Sequence, residues 1–77
     1  MAYKMTKDKT TLKLIEELNE LATVLLQNYN LPKEEHTIAI QDEIADVKLW
    51  LSIVEKRYDK GYIDKRILNK VVKYKLL

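Results

Sequence analysis

Apolar residues recur at three- and four-residue steps along most of this 77-residue chain, the period of helices that each bury one face. Leu12, Ile15, Leu18, Ala22, Leu25, Leu26 and Tyr29 form the first stripe. They predict a helix from Thr6 or Lys9 to Tyr29, with Thr10 or Thr11 as its cap. The run from Asn28 to Pro32 ends it: asparagine tolerates a left-handed cap, and Pro32 biases Leu31 away from helical backbone. Ile40, Ile44, Val47, Leu51, Val54 and Tyr58 form a second stripe, predicting a helix from Lys33 to Lys56. Pro32 suits its first position, and Glu34 and Glu35 in its first turn complement the helix dipole. Gly61, beside Asp59 and Lys60, is the expected C-terminal breaker. Ile63, Ile67, Leu68, Val71, Val72 and Leu76 predict a shorter third helix from Ile63 to Leu76. The expected fold is all-α: an antiparallel helical hairpin closed by a short proline-containing turn, plus a shorter third helix.

Size and composition sharpen that picture. The chain makes a single domain, near the lower limit of what one hydrophobic core stabilises unaided. With 47% apolar residues in so small a volume, a leftover apolar face is expected. Oligomerisation, as a homodimer or dimer of dimers, would cover it and complete a bundle. The chain has no cysteine and one histidine, which excludes disulfides, thiol chemistry and His-rich zinc sites. A single glycine excludes a phosphate-cradling glycine loop. No apolar run reaches the roughly 18 residues of a membrane span, and Met1 to Thr11 lacks the pattern of a signal peptide. A cytoplasmic protein with no membrane association is the expectation.

Charge divides the chain. Residues 1–55 carry six lysines and ten acidic residues, whereas residues 56–77 carry eight basic residues and two aspartates. An acidic body is followed by a basic tail.

Within the acidic body, Glu16, Glu17 and Glu20 read E-E-x-x-E, and Glu43 and Asp46 read E-x-x-D. Carboxylates at such steps on facing helices are a candidate cage for a hard divalent cation. On a helical wheel of roughly 100° per residue, the first three share a sector with Lys13, Val24 and Gln27, and a solvated acidic face explains them equally well. Glu43 and Asp46 fall outside the polar wedge of Gln41, Lys48, Ser52 and Glu55. Glu43 projects close to Trp50 and Val54, and Asp46 close to Ala39, Trp50 and Ile53. Carboxylates among large apolar side chains are costly unless compensated. A bound cation compensates them; lysines of a partner subunit are the alternative.

At these residues the chain resembles the MazG-like branch of the all-α NTP pyrophosphohydrolases, whose hallmark is E-E-x-x-E on one helix and E-x-x-D on the next. Lys13-Leu14-Ile15-Glu16-Glu17-Leu18 and Glu43-Ile44-Ala45-Asp46-Val47 look like family phrasing, especially that of short phage-encoded members, and the similarity covers residues 10–60. The resemblance implies hydrolysis of a nucleoside triphosphate between the α and β phosphates, releasing a nucleoside monophosphate and pyrophosphate. It implies Mg²⁺, with Mn²⁺ as a substitute, held by Glu17, Glu20, Glu43 and Asp46. Glu16 is then the residue that orients the attacking water or supports the cage. Family members commonly carry a further helix before E-E-x-x-E. Only fifteen residues precede Glu16 here, so a second subunit is expected to complete the nucleotide pocket.

Lys65, Arg66, Asn69 and Lys70 stand where family members place basic residues, and are candidates to meet the triphosphate of their own or a neighbouring site. A solvated helical face explains them as well. So does nucleic-acid binding, since cationic patches attract phosphates without specificity, although the acidic body and the lack of a helix-turn-helix pattern weigh against it. Trp50 can stack on a base, but a lone tryptophan on an apolar helix more often belongs to a core or interface. Tyr29 and Tyr58 read as packing residues, and His36 as exposed without a role. Two other readings stand beside the enzyme: a non-catalytic helical interaction protein on the same scaffold, and a nucleic-acid-binding accessory protein.

Overall fold

The structure, a computed structural model, describes residues 8–76. It is all-helical over those residues, with α1 at Lys9–Asn30, α2 at His36–Val54 and α3 at Lys60–Tyr74. A 3₁₀ turn, Glu55–Arg57, follows α2. The alternative start of the first helix at Thr6 lies outside the described residues.

Asp8, not Thr10 or Thr11, caps α1. Its carboxylate accepts from the Thr10 N–H at 3.0 Å and from the Thr11 hydroxyl at 3.0 Å, satisfying a donor that the first turn leaves unpaired. The α1–α2 connection differs from expectation at Pro32, which sits in the loop rather than at a first helical position. Asn28 is the reason. Its side-chain oxygen accepts from the Lys33 N–H at 3.2 Å and lies 3.1 Å from His36 Nδ1. Residues 33–37 are thereby drawn into a tight turn, His36 N–H to Lys33 and Thr37 N–H to Glu34, so that α2 starts at His36. His36 is half-buried and structural rather than exposed.

Gly61 is not a breaker. The chain leaves helical backbone at Tyr58, and Asp59 caps α3 by accepting from the Tyr62 N–H at 3.1 Å. Gly61 therefore lies in the first turn of α3. At the far end, Lys75 adopts left-handed backbone at φ 55°. The N–H groups of Lys75 and Leu76 bond back to Val72 and Val71, the paired arrangement that closes a helix C-terminus.

The helices α1 and α2 pack along each other as an antiparallel hairpin. Asn28 meets His36 at the closed end, and Arg57 pairs with Asp8 and donates to Thr11 Oγ1 at the open end. The seam between them takes Leu14, Glu17, Leu21 and Val24 from α1, and Ile40, Glu43, Val47, Trp50 and Val54 from α2, all of them buried or half-buried. Their alternating three- and four-residue steps are those of a coiled-coil seam. Leu14, Val47 and Val54 are the buried hydrophobics among the described residues, with Leu21 and Trp50 packed against them. Trp50 is thus part of the core.

The apolar stripe read from the first helix is not this seam. Leu12, Ile15, Leu18, Leu25, Leu26 and Tyr29 are all exposed. Of the second stripe, Ile44, Leu51 and Tyr58 are exposed as well. The hairpin buries the neighbouring, less apolar track, because Glu17 and Glu43 occupy it.

Candidate metal centre

Two helix faces flank the seam. In an antiparallel pair the residues just after each seam position turn to one side and those just before it to the other, since each residue advances roughly 100°. Leu18, Leu25 and Tyr29 of α1 therefore share a side with Ile44 and Leu51 of α2. Lys13, Glu16 and Glu20 share the opposite side with Asp46. The first side also carries Gln41, Lys48 and Glu55 and the second Leu49 and Ile53; the carboxylate cluster sits where the second side meets the seam.

Glu17 is the centre of that cluster. It is 5% exposed, the buried charged residue among those described. One oxygen, Oε2, lies 3.2 Å from Lys13 Nζ; the other, Oε1, is buried without a partner. Glu43, half-buried across the seam, likewise has a buried and unpartnered Oε1. Asp46 completes the group: one carboxylate oxygen from each of Glu17, Glu43 and Asp46 lies within 4.8 Å of the others. A buried, unpaired carboxylate oxygen costs free energy unless protonated or compensated. Three carboxylate oxygens gathered this closely are the donor type that a small divalent cation takes. The residues present therefore fit such an ion.

Burial is the largest cause raising the pKa of Glu43 above the usual carboxylate range, followed by the charges of Glu20, Glu17 and Asp46. Lys13 is shifted up chiefly by its hydrogen bond to Glu17, with smaller contributions from Glu16 and Glu20.

The remaining sequence candidates are placed less centrally. Glu20 is exposed but close enough to Glu43 to raise its pKa. With Glu43, Asn19, Thr23 and Val24 it lines a groove of about 260 Å³. Glu16 is half exposed, 3.8 Å from Lys13, and lies outside the three-residue group. Asp46 is exposed rather than set among apolar side chains, because it lies a quarter-turn off the seam. Lys65, Arg66, Asn69 and Lys70 are exposed on α3, and no hydrogen bond or ion pair among the described residues ties them to the cluster. A larger cavity of about 450 Å³, at the corner of α2 and α3, is lined by Ser52, Lys56, Tyr58 and Lys60 among others and contains none of the candidates.

Sequence reasoning missed the roles of Lys13 and of the Asp8–Arg57 pair. Lys13 had a signal, its four-residue step to Glu17; Arg57 is 49 residues from Asp8 and had none. Comparison with protein-family models, with curated proteins and with solved structures returned no match. The likeness to MazG-like enzymes rests on the residues of the split motif. No described helix is long and apolar enough to cross a membrane.

Proposed function

We propose that this chain is a small, cytoplasmic, Mg²⁺-dependent nucleoside triphosphate pyrophosphohydrolase that works as a homodimer or dimer of dimers. The observation that carries the reading is Glu17, a buried carboxylate whose unpartnered oxygen accompanies a second one on Glu43, with Asp46 in reach. An all-oxygen donor set suits Mg²⁺, or Mn²⁺ in its place, over softer metals. The substrate and the bond broken follow from the resemblance of the split motif.

When bound, Mg²⁺ supplies positive charge to the phosphate oxygens and makes a water a better nucleophile at neutral pH. Glu17, Glu43 and Asp46 would hold it, with Glu20 as a fourth ligand at the mouth of the groove. Glu16, next to Glu17 on the side of Asp46, would orient the attacking water. Attack at the α phosphorus breaks the α–β anhydride and yields the monophosphate and pyrophosphate. Lys65, Arg66, Asn69 and Lys70 would meet the charge of the triphosphate. The groove beside the cluster, at about 260 Å³, is smaller than the roughly 300–1,000 Å³ of ordinary ligand pockets. A second copy that supplies the missing wall is therefore part of the proposal.

Pyrophosphate release from a panel of NTPs and dNTPs with Mg²⁺ is the test. Turnover that falls about a hundredfold or more in Glu17→Gln and Glu43→Gln is expected. No turnover of any nucleotide, with metal binding unchanged in those variants, overturns the proposal.

The extent of exposed apolar surface favours a second reading, a non-catalytic helical interaction protein. Calorimetry separates the two: a cluster that takes up neither Mg²⁺ nor Mn²⁺ selects the interaction protein. Binding to duplex or single strands that weakens steeply with salt, and depends on Lys65, Arg66 and Lys70, would select a nucleic-acid accessory role instead.

A further inference from the structure

We infer that Lys13 is a resident counter-charge of the carboxylate cluster, a tethered ammonium that a divalent cation displaces or outcompetes. This rests on the metal-site reading above. Lys13 stands one helical turn before Glu17, with Nζ 3.2 Å from Glu17 Oε2 and 3.8 Å from Glu16 Oε1. The other ion pairs among the described residues, Arg57–Asp8 and Lys60–Asp64, lie elsewhere. Lys13 is thus the one ammonium that an ion pair ties to the cluster among the described residues, and it reaches it through Glu17.

A lysine four residues from a glutamate on an exposed helix contributes only a few tenths of a kcal/mol. Two features set this pair apart. The Glu17 side chain is 6% exposed while that of Lys13 is 44% exposed, so the carboxylate is fixed by packing and the ammonium has an open route to water. The pair also leaves Oε1 of both Glu17 and Glu43 unpartnered, so Lys13 neutralises the cluster only in part. Its loss leaves a buried charge uncompensated in the metal-free protein and removes repulsion against an incoming dication. Both effects strengthen cation binding. The packing that holds Glu17 does not depend on Lys13, so the ligand stays in place.

The test uses the full chain and its Lys13→Met, Lys13→Gln and Lys13→Arg variants. Mn²⁺ affinity is measured by calorimetry, and thermal unfolding is followed from chelator to saturating Mg²⁺. The neutral variants are expected to bind Mn²⁺ about tenfold more tightly, as loss of one unit of like charge near a dication implies. Lys13→Arg, which keeps the charge, should bind like the wild type. The lower Tm of the neutral variants in chelator should close as Mg²⁺ rises. A Tm deficit that Mg²⁺ does not change, with equal or weaker Mn²⁺ affinity, overturns the inference and leaves the metal site standing. A wild-type chain that takes up neither ion removes the site itself, and the inference with it. Lys13→Gln supplies the same readouts should Lys13→Met not fold.

Discussion

Glu17 and Asp46 exchange roles between sequence and structure. In the sequence, Glu17 belongs to an acidic run that an ordinary wet helix face explains, while Asp46 stands among apolar neighbours. In the folded chain Glu17 is the buried charge and Asp46 is exposed, because the helices meet along the Leu14–Glu17–Leu21 track. Glu43 is half-buried, as its sequence position implies, on the same seam track as Trp50 and Val54. Burial and the neighbouring carboxylates raise its pKa on folding. A carboxylate so raised binds its proton more tightly in the folded state. Its contribution is neutral in acid and turns unfavourable as pH rises through the carboxylate range to its folded pKa. In chelator, Glu43→Gln is therefore expected to raise stability at neutral pH and flatten its fall with pH, while weakening metal binding. Urea denaturation at several pH values checks both, and a variant with the wild-type pH profile would count against this assignment.

At the scale of elements, existence and order were legible from periodicity, but the caps were not. Asp8 caps α1 where Thr10 or Thr11 was expected, and Asp59, read with Gly61 as a C-terminal break, caps α3 through the Tyr62 N–H. The clip at the open end of the hairpin was not legible, since Arg57 reaches Asp8 only after α2 has folded back on α1. The Thr10 N–H is the largest cause, with Arg57 and Thr11 adding, that lowers the pKa of Asp8 to about 2. A carboxylate depressed in this way stabilises the fold above its ordinary pKa, and the contribution is lost as pH falls through about 2. Asp8→Asn is expected to lower Tm at neutral pH and to lose that difference in strong acid. Arg57→Gln should show part of the same loss. Thermal unfolding followed by circular dichroism from pH 7 downwards reads it, and a difference that persists in strong acid would be the contrary result.

The described residues span 46 × 34 × 16 Å, and three residues, Leu14, Val47 and Val54, make up their buried apolar core, whereas stable domains bury their apolar faces between packed layers. One side of the hairpin presents Leu18, Leu25, Tyr29, Ile44 and Leu51, while α3 adds exposed Ile67, Leu68 and Val72. The proposed self-association would cover these residues, and each copy offers both an acidic hairpin and a basic α3 to the other. Light scattering after size exclusion should give about twice the 9.1 kDa chain mass, or four times for a dimer of dimers. Leu25→Lys, outside the seam, should shift the protein towards monomer and lower its stability. A wild-type chain that runs as a folded monomer at micromolar concentration would refute this assembly.

The sequence by itself determined that the chain is helical, roughly where its three helices lie, and which acidic residues form a split motif. Those properties follow from local periodicity and spacing. Which track of each helix becomes the seam was decided only by the tertiary structure. The most apolar stripe of α1 does not face α2, because burial in so small a fold is set by how two helices dock and not by the hydrophobicity of either alone. That docking turns Glu17 inward, brings it to Glu43 across the seam, and leaves the apolar stripe exposed on the other side.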